Sequence, residues 1–133
     1  MRPVSSLPPS AEALEALALA AFARIPDPFR QHLASVVVRI EEFADAETLA
    51  SLSMEDPWEL SGLYHGVPMS EQSAWHSGMM PPMITLYRQP LLAEWCETGV
   101  ELAALVSHVV IHEVGHHFGL SDEDMHALEN QAD

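Results

Sequence analysis

The sequence predicts an α+β fold in which a small mixed β-sheet of about three to four strands packs against helices. The first observation is size, because 133 residues with 48% hydrophobic content suffice for one ordinary core and are too few for two. We therefore expect a single domain over residues 1–133. The second observation is the order of local patterns, α-β-α-β-β-α-α, which alternates helices and strands without an internal repeat.

The first third of the chain predicts an arm, a helix and a strand. Residues 1–10 are rich in proline and serine and predict a flexible arm. Ser10 is a suitable N-cap for a helix over residues 11–23, which Pro26 ends. The β-branched run within residues 35–43 predicts a buried strand.

The middle of the chain predicts a helix, a strand and a loop. Asp45 can cap a second helix over residues 46–52. Residues 58–67, WELSGLYHGV, are aromatic and contain two glycines, which predicts an edge strand or a hairpin arm. Residues 68–82 are polar, with methionines and prolines, and predict a loop.

Two helices are predicted after the strand MITLY at residues 83–87. Pro90, at a first-turn position, opens a short helix over residues 91–97. Gly99 separates it from a longer helix that continues through residue 111 into the motif below. Cys96, the only cysteine, is expected to be a buried thiol at the end of the short helix, and a fourth metal ligand is the alternative.

The segment HEVGHHFGLSD, residues 112–122, carries the chemistry of the chain. His112 and His116 lie four residues apart on one helix face and can present two imidazole nitrogens to one ion. Glu113 lies about 100° round the helix from its neighbour, close enough to reach a water on that ion without binding it. Asp122 can supply a third protein ligand and leave a fourth position open. The pattern predicts a zinc hydrolase site.

Two features of the surrounding sequence support a metal site. A stripe of positions spaced three and four apart predicts a buried helix face that ends in the two histidines: Leu102, Leu105, Val109, His112 and His116. Imidazoles in an apolar line need a partner, which a metal ion provides. Gly119 lies where a left-handed residue would end the helix, so the chain can turn back toward the histidines.

The same segment resembles the extended signature of the metzincin clan of zinc metallopeptidases, in the variant with aspartate as third ligand. Together with the upstream blocks GLYHG and ITLYRQPL, it is similar to the minimal zincins, a family of small bacterial metallopeptidase-like proteins. The resemblance implies a zincin-like fold with an active-site helix, zinc bound by His112, His116 and Asp122, and Glu113 as general base. Met125 is the only methionine after these residues, and we do not assign it to the methionine-containing turn of larger metzincins.

Several ligand choices stay open on the sequence alone. Glu123 and Asp124 flank Asp122 and are rival third ligands. His108 lies one turn before His112 and is either a histidine bonded to backbone or a further ligand that closes the site. Iron or manganese can also occupy a site of two histidines and one carboxylate, but the neighbouring glutamate, placed as a hydrolytic base, favours zinc.

The remaining histidines have weaker assignments. His65 and His76 fall in the predicted strand and loop, where either can line a substrate cleft. His117 is expected on a solvent-exposed or loop-facing side of the helix, and His126 is expected to be exposed. Tyr64 or His65 is the candidate for a second donor to the oxyanion, if the strand that carries them lies beside the cleft.

The charge balance excludes some classes of partner. Twenty acidic residues face five arginines, and the formal net charge is −15. This charge repels phosphate backbones and anionic membranes, so we expect neither nucleic acid nor membrane as partner, and it leaves open a basic or amine-bearing substrate. No apolar run would span a bilayer, and the N-terminus lacks the order of a secretory signal, which favours the cytoplasm.

The function expected is hydrolysis of a peptide bond by a zinc-activated water, with segment 61–66 as the sheet edge that pairs with an extended peptide or protein substrate. The alternative is a non-catalytic module that binds zinc or a peptide on the same scaffold. A purely structural site would need four protein ligands, and only three are evident. RNA-processing zinc hydrolases that lack the glutamate are disfavoured by Glu113 and by the negative charge.

Overall fold

A computed structural model describes residues 7–27, 29–66 and 81–132 of the chain, without the side chains of residues 122, 128, 129, 131 and 132. Most of the predicted arm and most of the predicted loop at 68–82 lie outside the described residues. Within the described ranges, no helix has the length and apolar character needed to cross a membrane.

The elements confirm the α+β class. In chain order they are α1 (Ala11–Arg24), β1 (Val37–Glu41), α2 (Ala46–Ser51), β2 (Gly62–His65), β3 (Met83–Tyr87), α3 (Arg88–Thr98), α4 (Leu102–Phe118) and α5 (Asp122–Ala132). Two short 3-10 turns, Phe29–Leu33 and Pro57–Glu59, precede β1 and β2.

The three described strands form one mixed sheet in the order β1-β3-β2. The central strand β3 runs parallel to β1 and antiparallel to β2, so that Ile84 lies opposite both Val38 and Tyr64. A parallel pair needs a crossover, and the chain between β1 and β3 supplies it. β2 is therefore an edge strand of the described sheet, as segment 61–66 was predicted to be.

β1 is not the buried strand that its β-branched residues predicted. Exposed and half-buried positions alternate along it, with Val38 and Ile40 turned toward the core and Val37 45% exposed. The reason is position, because β1 is the other edge of the described sheet and only one of its faces is covered by α1.

The main core lies between one face of the sheet and the helices α1 and α4. Its buried members include Leu14, Ala18 and Ala21 of α1, Ile84 and Leu86 of β3, and Val106, Val110, Ile111 and Val114 of α4. Alternate residues of β3 point to the opposite face, where Tyr87 packs with Ala44 and Leu49 in a smaller cluster beside α2. The two faces of the sheet therefore have different surroundings.

The predicted helix caps are confirmed. Ser10 accepts a hydrogen bond from the backbone N–H of Ala13 at 3.1 Å, and Asp45 accepts one from Thr48 at 2.7 Å. Gly119 ends α4 in the left-handed conformation, with φ of 69°, and its N–H donates to the last carbonyls of the helix. A side chain is disfavoured in that conformation, so glycine permits the chain to reverse there.

Helix α5 was not predicted. Ser121 begins it by accepting a hydrogen bond from the N–H of Asp124 at 3.2 Å, and Met125 then packs directly on Gly115 of α4. A Cβ on Gly115 would lie 2.5 Å from the Met125 side chain, so the glycine allows the close contact between the two helices. This contact returns the chain toward the C-terminal half of α4.

A second close approach joins β2 to α4. A Cβ on Gly62 would lie 2.6 Å from Cγ1 of Val109, closer than real Cβ contacts come, and 3.6 Å from Cγ of Glu113. The obstructing methyl belongs to a β-branched side chain that has little rotamer freedom in a helix. Gly62 therefore sets how near the edge strand lies to the helix.

We predict that Gly62→Ala destabilises the protein by about 1–3 kcal/mol, because the added methyl overpacks the contact with Val109. Denaturant unfolding measures the change. The control is the double variant with Val109→Ala, which removes the obstructing methyl. Its loss of stability is expected to be smaller than the sum of the two single losses, and strict additivity would contradict this explanation.

Candidate metal centre

Helix α4 brings its two motif histidines together on the surface. The rings of His112 and His116 have centroids 4.8 Å apart and are inclined by 68°, and both residues are exposed. The predicted stripe is therefore only partly buried, since Leu105 is buried whereas Leu102 and Val109 are half-buried. The fully buried side of α4 lies one position further round the helix, along Val106, Val110 and Val114.

Glu113 lies between this exposed pair and the core. Its side chain is only 7% exposed, and its Oε1 accepts a hydrogen bond from the backbone N–H of Tyr64 at 2.9 Å. The same oxygen lies 3.1 Å from Nδ1 of His116. A buried carboxylate needs such partners, because an unpaired charge in a protein interior is strongly unfavourable.

These three side chains form a group that can hold a metal ion. The candidate ligand atoms of His112, Glu113 and His116 all lie within 4.8 Å of one another. With Glu113 ionised, Nδ1–H of His116 donates to it, and Nε2 is then the nitrogen that remains to bind an ion. The structure thus shows the histidine pair and the adjacent carboxylate that the sequence singled out.

The side chain of Tyr64 is also tied to α4. Its hydroxyl lies 2.9 Å from Nδ1 of His117, whose side chain is buried at 2% exposure. The prediction that His117 lies on a solvent-exposed side was wrong, because His117 lies on the buried side of α4. Gly66, with φ of 143°, leaves room for the tyrosine, since a Cβ there would lie 2.8 Å from the hydroxyl oxygen.

Burial changes the ionisation of this pair. Desolvation lowers the pKa of His117, while a hydrogen bond with the backbone of His32 opposes that shift. Desolvation also raises the pKa of the Tyr64 phenol. His117 is therefore neutral at neutral pH and Tyr64 keeps its proton, so the hydroxyl can donate to the imidazole.

Asp122 is the first residue of α5, and its side chain lies outside the described residues. Its position after the Gly119 reversal is the one the sequence assigned to it. The rival side chains of Glu123, Asp124 and His108 are exposed, and none joins the metal-binding group found among the described residues. The third ligand stays a prediction.

Other candidates lie elsewhere. His65 is exposed at the end of β2, and His126 is exposed on α5 as expected, whereas His76 lies outside the described residues. Cys96 is exposed and not buried as predicted, because it lies in the solvent-facing last turn of α3. It is not part of the metal-binding group of the described residues.

Two contacts of the site were not foreseen from the sequence: the backbone N–H of Tyr64 on Glu113, and the Tyr64 hydroxyl on His117. The first links residues 49 apart in sequence, and no local pattern indicates it. The second had a signal, because His117 lies four residues after Glu113 and seven after Val110, on the buried side of the helix.

Comparison with known families gives a match to a metallopeptidase family. A family model described as zincin-like metallopeptidase matches residues 33–132, which include the sheet, the metal-binding group and α5. No curated protein matches the chain.

We predict that His117 makes the metal-free protein less stable in acid. Its pKa is lowered below the ordinary value of about 6.5, so between that value and the folded pKa the unfolded state binds more protons. The free energy of unfolding should therefore fall as pH decreases from 7 through this window, by at most about 1.4 kcal/mol per pH unit. Denaturant unfolding across pH 5–8 measures it.

The control for this prediction is His117→Asn, which does not titrate and offers an amide oxygen near the position of Nδ1. The difference in stability between wild type and variant should shrink as the pH falls. Curves that stay parallel over the whole range would contradict the assignment.

Proposed function

The chain belongs to the zincin-like metallopeptidase family, and from this premise we propose that it is a zinc-dependent peptidase acting through the α4 site. In this proposal zinc is held by His112, His116 and Asp122, and Glu113 is the general base. The observation that carries it is the grouping of two exposed imidazoles with one buried, hydrogen-bonded carboxylate directly beneath an edge strand.

The donor set suits zinc. Two imidazole nitrogens and one carboxylate leave a coordination position for water, which is the arrangement of catalytic and not of structural zinc sites. When bound, the ion supplies a Lewis acid that activates a water and polarises the scissile carbonyl. The exposure of His112 and His116 keeps that position accessible to a substrate.

Glu113 is placed to move the proton. Its Oε1 is held by the Tyr64 N–H, which fixes the carboxylate and leaves Oε2 as the oxygen that accepts the proton of the attacking water. The carboxyl group then delivers that proton to the leaving amine. Because its support comes from the backbone of β2, the base is positioned by the same strand that we assign to substrate binding.

The outer edge of β2 is the proposed binding surface for an extended peptide. Ser61 turns its carbonyl toward β3, where it accepts a hydrogen bond from Tyr87. By strand alternation, the backbone groups of Gly62 and Tyr64 point away from β3. The Tyr64 N–H is used by Glu113, so pairing with a peptide relies on the other outward groups.

The sequence suggested Tyr64 or His65 as a second donor to the oxyanion. The Tyr64 hydroxyl is bonded to His117, and His65 lies on the face of β2 that is turned away from α4. Neither side chain is therefore included in the proposed chemistry.

We expect about one zinc ion per chain, and loss of that zinc in His112→Ala and in Asp122→Ala, because each removes a proposed ligand. Elemental analysis of purified protein measures the content. Glu123→Gln and Asp124→Asn are matched controls that remove neighbouring charges and should retain zinc. Zinc kept without Asp122 but lost in a control variant would move the third ligand to that neighbour.

We expect Glu113→Gln to keep zinc and to lower kcat/KM by about 10²- to 10⁴-fold, because the amide oxygen can still accept from Tyr64 but cannot take up a proton. Cleavage of a broad panel of labelled peptides measures turnover, with Glu123→Gln as the active control. Turnover at the wild-type rate would remove Glu113 from the mechanism. A zinc-loaded wild type that binds peptides of the panel without cleaving them would favour the non-catalytic alternative.

A further inference from the structure

The sheet face opposite α4 contains a cavity of about 490 Å³. Its floor is formed by β3, where Met83, Thr85 and Tyr87 point away from the main core. Its walls come from β1, the start of α2 and the end of β2, and include Glu41, Asp45 and His65. This volume falls within the range of protein cavities that bind small ligands, about 300–1,000 Å³.

Two buried hydroxyl groups line this cavity without a partner in the described protein. Thr85 is 2% exposed and Tyr87 is 1% exposed, and neither side chain forms a hydrogen bond with a described residue. A buried hydroxyl without a hydrogen-bond partner is unfavourable. A polar group that enters the cavity can therefore satisfy these hydroxyls.

The charge at the cavity is negative. Arg39 and Glu41 form an exposed ion pair at 3.8 Å and largely offset each other. Asp45 caps α2, and Glu47 follows it, and neither forms an ion pair within the described residues. Burial, together with the negative charges of Glu41 and Asp45, raises the pKa of Tyr87 to about 12, which keeps its hydroxyl protonated.

A groove of about 450 Å³ joins this cavity to the outer edge of β2. Its walls include Leu52 and Leu63, with Glu47 at its side, and it shares Thr48 and His65 with the cavity. The groove therefore offers apolar contact near the edge strand and negative charge along its far side. A side chain with an aliphatic stem and a positively charged tip matches that order.

We propose that this cavity and groove form an acidic subsite for a lysine or arginine side chain of the peptide that pairs with β2. The inference rests on the proposed function, because it takes the edge of β2 as the substrate-binding edge. An extended peptide there turns every second side chain to the α2 side of the sheet. That side holds Asp45 and Glu47, so a basic side chain reaches them while the backbone stays beside α4.

The test uses two blocked peptides, acetyl-Ala-Ala-Lys-Ala-Ala-amide and the same peptide with norleucine in place of lysine. Norleucine keeps the aliphatic stem and removes the charge. Binding is measured by NMR titration of zinc-loaded Glu113→Gln protein, which is expected not to cleave them. We expect the lysine peptide to bind about two- to fivefold more tightly, with shifts in the amide signals of Thr85 and Tyr87.

Charge-removing variants test whether Asp45 and Glu47 cause the preference for the lysine peptide. In Asp45→Asn combined with Glu47→Gln, the ratio of the two affinities should fall toward one, and asparagine preserves the helix cap. Glu15→Gln combined with Glu97→Gln removes the same charge from distant exposed positions and should leave the ratio unchanged. A ratio of one in the starting protein, or equal loss in both double variants, would overturn the subsite.

The acidic subsite and the proposed peptidase function can be tested independently of each other. Binding is measured without cleavage, so an inactive wild type does not affect the ratio of affinities. Conversely, efficient cleavage of peptides without any preference for basic side chains would remove the subsite and leave the α4 mechanism intact.

Discussion

The site depends on the close approach of β2 to α4 at Gly62. Only a residue without Cβ fits against Val109 there, and this proximity brings the Tyr64 N–H to 2.9 Å from Glu113. A buried carboxylate without a partner is strongly unfavourable, and an edge strand carries unpaired N–H groups. The Tyr64 N–H gives the carboxylate a donor, and the carboxylate gives this N–H of the edge strand an acceptor. The hydrogen bond therefore both secures the sheet edge and holds the carboxylate in place.

Helix α4 separates the side chains of the proposed site by their angle round the axis. Its buried side runs along Val106 and Val110, so Glu113 and His117 point inward while His112 and His116 remain exposed. A metal ion requires open access for water and substrate, whereas a general base benefits from a fixed position. One helix meets both requirements because successive residues differ by about 100°.

The sequence predicted the strand at β3, the caps at Ser10 and Asp45, and the histidine pair, because each depends on local pattern or spacing. It misjudged which side of α4 is buried, and hence His117. Apolar residues occur round most of this helix, so periodicity alone does not select one face. The Tyr64–Glu113 bond joins distant segments through a strand–helix contact, and only the folded chain shows it.

The edge strand β2 explains how one short segment can serve two purposes. Gly62 and Tyr64 face α4, where they set the position of Glu113. On the other side of the strand, Leu63 lines the groove, and His65 lines both the groove and the cavity. A peptide lying along this edge would contact both faces at once, because its own side chains alternate in the same way. The backbone of β2 would then both position Glu113 and bind the peptide. A side chain on one face of the strand could be changed without disturbing the residues on the other face. A substitution that changes the charge of the cavity therefore leaves Gly62, the Tyr64 amide and helix α4 in place.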